Sequence, residues 1–141
     1  MNLSEQEARQ RFAGARVARL ATVTGAGRPH IVPVTFAVTG NDVYTAVDAK
    51  PKTTRSLQRL HNIRSNARVA VLADRYDEDW AALWWARADG EAAILEDPLL
   101  MAAPVTLLAA RYPQYRDLPP AGPVIAIRVQ RWTGWAASSP G

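Results

Sequence analysis

The chain has 141 residues, 48% of them apolar, which is the usual size for one domain and enough to fill one core. It has no cysteine, which excludes disulfides, thiolate metal ligands and a cysteine nucleophile and agrees with a cytoplasmic setting. The 17 cations outnumber the 13 acids, but the excess is local. Between Ala49 and Ala73 lie Lys50, Lys52, Arg55, Arg59, Arg64 and Arg68 with no acid, so the remainder of the chain is slightly acidic. A duplex-binding face needs a wider basic surface than this, so nucleic acid is not expected as a partner. No secretion signal is recognisable at the start and no apolar run approaches roughly 18 residues, so no membrane span is expected.

Ser4 and Glu7 have the spacing of a capping box and open a short helix to about Ala13. Residues 17–23 read as a strand, Gly25 to Pro29 as a turn, and His30 to Thr39 as a second, β-branched strand. Gly40 to Asp42 turns the chain into a third strand, Val43 to Val47. From Thr53 to about Asn66 the period becomes helical, with Leu57, Leu60 and Ile63 on one side. Strand character returns over 68–73, a charged loop covers Asp74 to Asp79, and a long strand or hairpin covers 82–95, with Gly90 as a bulge or turn. Asp97-Pro98 opens a helix to about Ala110, which Pro104 is placed to interrupt. A Tyr/Pro-rich loop fills 111–122, and the last strand runs from Pro123 to Arg131. The whole reads as one domain, 1–141, with a frayed tail over about 136–141. Six or so mostly antiparallel strands with short helices at the crossovers predict a mainly β, α+β fold, a closed or split β-barrel.

Both lysines of the chain flank Pro51 at the start of the basic helix, and Thr53 or Thr54 can cap it. Free helix N–H groups beside two ammonium groups and two hydroxyls make an anion site, suited to a phosphate-bearing cofactor or substrate. Trp80, Trp84 and Trp85 lie within six residues of one another, next to Asp77, Glu78 and Asp79. They suit a core or subunit interface, or a wall on which a planar ring stacks. The only histidines, His30 and His61, cannot build a Ser/His/Asp triad or a histidine-based zinc site, so no metal is expected. Without an acid–base pair, redox chemistry would have to come from a bound cofactor.

The segments Ala18 to Val23, Gly27 to Val34, Val43-Tyr44-Thr45 and Asn62 to Val69, in that order and spacing, resemble the flavin and deazaflavin oxidoreductases related to pyridoxamine 5′-phosphate oxidase. Ala67 stands where that family often has proline. Lys50 to Thr54 and the block from Asp79 to Trp85 are similar to its actinobacterial branch that uses coenzyme F-420. The resemblance implies an FMN-binding-type split-barrel homodimer with cofactor sites at the subunit interface and a small-molecule substrate. It implies that Val32, Pro33, Val34 and Thr35 run along the ring system through backbone groups and that Thr45 sits beside it. Lys50, Lys52, Thr53 and Arg59 would hold the anionic end, and Trp85 would belong to the pocket wall. The strand from His30 to Thr35 has no cation of the kind the oxidase uses for flavin mononucleotide (FMN), which favours F-420. The expected activity is hydride transfer to an unsaturated organic substrate. The alternatives are an FMN-dependent oxidase or reductase, or a non-catalytic flavin or deazaflavin carrier.

Overall fold

Seven strands form one antiparallel sheet in the order β2-β1-β5-β6-β7-β4-β3. They are β1 (Ala18–Val23), β2 (Pro29–Val34), β3 (Ala37–Thr39), β4 (Asp42–Ala46), β5 (Arg68–Arg75), β6 (Trp84–Leu95) and β7 (Val124–Ala136). The computed structural model describes residues 1–47 and 54–138. Helices α1 (Glu5–Gly14), α2 (Thr54–Ser65), α3 (Pro98–Arg111) and α4 (Pro113–Asp117) complete it.

Two neighbours in sequence, β2 and β3, occupy opposite edges of this sheet, yet only Thr35 and Phe36 join them. The three steps from Val34 to Ala37 span at most about 11 Å, so the sheet must roll until its edges face each other. That is a split barrel: closed in shape, with no hydrogen-bonded ladder across the seam. The expected strand over His30 to Thr39 is therefore two strands on opposite edges, broken where the chain crosses the seam.

The seam is held by polar side chains from the end of α3. The Arg111 guanidinium donates to the carbonyls of Phe36 (2.7 Å) and Ala15 (2.6 Å). The Tyr112 hydroxyl accepts from the Phe36 N–H (3.1 Å) and lies 2.9 Å from the Arg16 carbonyl and 3.0 Å from that of Phe36. Inside the roll, Phe12 of α1 packs on Phe36 and Trp132 with ring centroids 4.8 and 5.3 Å apart. Alternate residues of the strands, among them Leu20, Val71, Ala88, Ile125 and Ile127, fill the rest. The capping box forms as expected: Ser4 Oγ accepts from the Glu7 N–H at 3.1 Å, and the Glu7 carboxylate accepts from the Ser4 N–H at 2.8 Å. It presents Ala8 and Phe12, one helical turn apart, to the core.

Three boundaries differ from the sequence expectation. First, the last strand continues to Ala136 because β6 pairs with it along its full length, from Leu95 opposite Val124 to Trp84 opposite Ala136. The tail is also fastened at Ala137, whose N–H donates to the Leu83 carbonyl (2.9 Å), and at Ser138, whose hydroxyl donates to that of Ala81 (2.9 Å). Second, helix α3 continues through Pro104 rather than breaking there. Third, the expected loop over 111–122 contains α4. Gly90 is a bulge within a continuous β6, not a turn. Asp89 pairs with Arg131 and Gly90 with Val129, leaving Gln130 as the extra residue. A Cβ on Gly90 would lie 2.3 Å from the Arg128 carbonyl oxygen, so only glycine fits.

Candidate functional site

Strand β2 is an edge, paired only with β1, and it carries two prolines. An edge is where a sheet accepts proline, because the missing N–H faces no partner strand. Its side chains alternate. Val32 and Val34 lie opposite Leu20 and Ala18 of the core, while Pro33 is exposed on the outer face opposite Arg19. Thr35 follows at the seam, its hydroxyl 2.9 Å from that of Tyr115. The segment Val32 to Thr35 thus offers a ligand backbone groups along a free edge and one hydroxyl.

Helix α2 docks on the inner end of the same strand pair. Asn62 is fully buried (0% exposed) and donates to Thr22 Oγ1 at 3.0 Å while accepting from Gln58 at 2.7 Å. The bond to Thr22 joins the helix to β1 in an otherwise apolar contact made by Leu60 and Ile63. Thr22 lies opposite His30 in the ladder. The His30 Nδ1 atom is buried and has no hydrogen-bond partner among the described residues. Arg59, one residue from Gln58 on α2, is partly buried. Arg64 reaches Glu96 at 3.5 Å, so part of the basic window is neutralised by an acid distant in sequence. Lys50, Lys52 and Thr53, the expected anion cradle, lie outside the described residues.

Thr45 is 2% exposed and on the same face of β4 as core residue Val43, so its hydroxyl is enclosed in the barrel. Thr45, expected to sit beside the cofactor, thus offers a ligand no exposed side-chain group in this chain.

Trp85 stands on the outer face of β6, beside Trp135 of β7 and Asp74 of β5 in one cross-strand row. The preceding row contains Thr133, Arg87, Leu72, Arg19 and Pro33, so this face runs across to the free edge of β2. A groove of about 190 Å³ opens between Trp84, Trp85, Trp135, Leu83 and Tyr76. Asp77, near its rim, accepts from the Asp79 N–H (2.9 Å) and from Arg75 (3.3 Å), and these bonds hold its carboxyl below the ordinary range. Trp135 was not among the expected site residues. Its alternation is hidden by the bulge at Gln130, and nothing local in the sequence pairs it with Trp85. Among the described residues no three His, Cys, Asp or Glu side chains gather as a metal site, and no helix is long and apolar enough to cross a membrane.

Residues 4–136 match the family model described as pyridoxamine 5′-phosphate oxidase. The chain belongs to the pyridoxamine 5′-phosphate oxidase family. No curated protein matches it. Among solved structures, a conserved hypothetical protein of Mycobacterium tuberculosis shares 22% identity over 99% of this chain and 92% of its own, with a TM-score of 0.77. An FAD-binding protein of Mesorhizobium loti shares 21% identity over 95% of each chain, at 0.75. A heme-binding protein of Mycobacterium smegmatis shares 20% identity over 94% of this chain and 57% of its own, at 0.72. At such identities the likeness is one of fold: the split barrel of this oxidase family is common to proteins described by different ligands.

Proposed function

We propose that this member of the oxidase family is an F-420-dependent oxidoreductase that reduces an unsaturated organic substrate. The observation that carries the reading is the placement of α2, the helix of the acid-free basic window. The Asn62–Thr22 bond fixes it against the strand pair whose free edge is Val32 to Thr35. The residues present fit such a cofactor. The β2 edge offers unpaired backbone groups, Thr35 a hydroxyl, and the buried His30 Nδ1 lacks a partner among the described residues. When bound, the reduced deazaflavin supplies a hydride. Val32 to Thr35 hold its ring through main-chain groups, while Lys50, Lys52, Thr53 and Arg59 hold the phosphate and acidic tail. Trp85 closes the outer side, and the proton comes from solvent. The functional unit is a homodimer. Exposed apolar side chains beside the β2 edge, Ile31 at 63% and Val17 at 43%, support this.

FMN is the second reading, favoured by the flavin named for the M. loti neighbour. Titration with F-420 and with FMN, on wild type and Lys52→Ala, decides between them. Tight F-420 binding that Lys52→Ala weakens ten- to a hundredfold is expected, the loss of one charged hydrogen bond being about 1.5–3 kcal/mol. If neither cofactor binds at micromolar concentration the proposal fails. Binding without turnover on a broad acceptor panel would make the protein a carrier.

A further inference from the structure

We propose that the aromatic groove at the ends of β5, β6 and β7 binds the second reactant, a planar conjugated molecule that is neutral or singly negative. The inference rests on the cofactor reading above and names the class of acceptor it serves.

The size comes first. A dry cavity of about 150 Å³ accommodates benzene, so about 190 Å³ admits one substituted ring or a fused pair. Its walls are Trp84, Trp85 and Trp135, with Leu83 beside them and Tyr76, 78% exposed, at the mouth. Trp85 and Trp135 are cross-strand neighbours on one sheet face with Tyr76 at the mouth, and such an aromatic wall favours a flat ligand, which can stack on it.

The charge follows from what already touches the indoles. The Arg87 guanidinium lies 5.7 Å from the Trp85 ring centroid, and Arg11 lies 5.7 Å from that of Trp84. Neither arginine lines the groove. Arg87 is in turn paired with Asp89 at 3.0 Å, so the like charge that a cationic ligand would meet is chiefly that of Arg11 beside Trp84. Asp74, the carboxylate in the lining, and Asp77 beside it are engaged and do not offset that. Asp74 is paired with Arg19 and Asp77 with Arg75, each at 3.3 Å. The rim thus disfavours an ammonium ligand and tolerates a carboxylate or a neutral ring.

The walls are also built in advance. The Asp79 carboxylate accepts from the Ala81 N–H at 3.1 Å and caps the turn Trp80–Ala82. Ala137 and Ser138 tie this turn to the end of β7. The groove opens on the same sheet face as Pro33, three strand spacings or about 14 Å away. A reactant there lies beside a cofactor held at β2, with Trp85 shared between the two sites.

Equilibrium dialysis of the cofactor-free protein with 2-naphthoate tests this without relying on the cofactor reading. Wild type should bind it, with affinity reduced about tenfold by Tyr76→Ser and by Trp135→Leu, the size expected for one lost stacking partner. The saturated decahydronaphthoate, which is not flat, and 2-naphthylmethylammonium should each bind at least tenfold more weakly. Tyr76 is exposed enough for its substitution to leave the fold intact. The proposal is overturned if 2-naphthoate fails to bind at millimolar concentration, if neither variant changes its affinity, or if the cation binds as well. Competitive displacement of 2-naphthoate by F-420 or FMN also overturns it, since the groove would then belong to the cofactor. A chain that binds no cofactor but binds 2-naphthoate as described would sink the functional reading and leave this site standing.

Discussion

Tyr112→Phe removes one oxygen from the seam and leaves the ring in place. That oxygen accepts from the buried Phe36 N–H and reaches the carbonyls of Arg16 and Phe36. After the change the Phe36 carbonyl keeps Arg111, and the Arg16 carbonyl belongs to an exposed residue that water can reach. The Phe36 N–H has no such recourse, and a buried donor left without a partner costs about 1–3 kcal/mol. For a chain of this length, about 2 kcal/mol lowers the melting midpoint by roughly 7 °C. Calorimetry and urea unfolding of wild type and variant measure it, with unchanged far-ultraviolet circular dichroism showing that the fold persists. A midpoint within about 1 °C of wild type would refute the reasoning: the phenol would then not be what holds the two sheet edges together.

Gly90→Ala drives a methyl into the Arg128 carbonyl and should cost about 3 kcal/mol, visible as a lowered urea midpoint; a loss under about 1 kcal/mol would mean the bulge can shift. The Glu7 carboxyl is held below its ordinary value near 4.5 chiefly by the Ser4 backbone N–H, with the Ser4 hydroxyl and then Arg11 adding to it. A lowered folded value means that its stabilising contribution is present above pH 4.5 and disappears as pH falls through the folded value. Glu7→Gln should therefore be less stable than wild type at pH 7, with the gap closing towards pH 3 in urea melts. A gap independent of pH contradicts this.

How much of this was legible beforehand depended on whether the information was local. Ser4 and Glu7, Asp97-Pro98 and the Leu57/Leu60/Ile63 spacing depend on neighbours a few residues away, and each predicted its element. The seam was not legible, because Thr35 and Phe36 sit in a β-branched run that looks continuous. Only the pairing of β3 with β4, and of β2 with β1, separates its halves. The last strand was cut short at Arg131 because Gln130 and Arg131 are both exposed, which looks like a strand ending. At the candidate site, the segment Val32 to Thr35 was picked out by family likeness, not as a sheet edge, and Asn62 was recognisable as part of a family motif. Its bond to Thr22, 40 residues away, was not recognisable, and neither was the meeting of Trp85 with Trp135. The enclosure of Thr45 depends on strand parity within a closed barrel, which a linear reading does not contain.

The extra residue at Gln130 reverses the inside and the outside of one continuous strand. Before it, odd-numbered residues Ile125, Ile127 and Val129 face the core; beyond it, even-numbered Trp132, Gly134 and Ala136 are the buried ones. Loss of that single codon would join Val129 to Arg131, restore simple alternation and leave both sets where they are. Trp132 would stay against Phe12 and Trp135 on the outer face. One residue added or lost between Arg131 and Trp135 would instead exchange the aromatic groove with the aromatic core, so the bulge marks where this strand tolerates a change of length and the stretch beyond it where it does not.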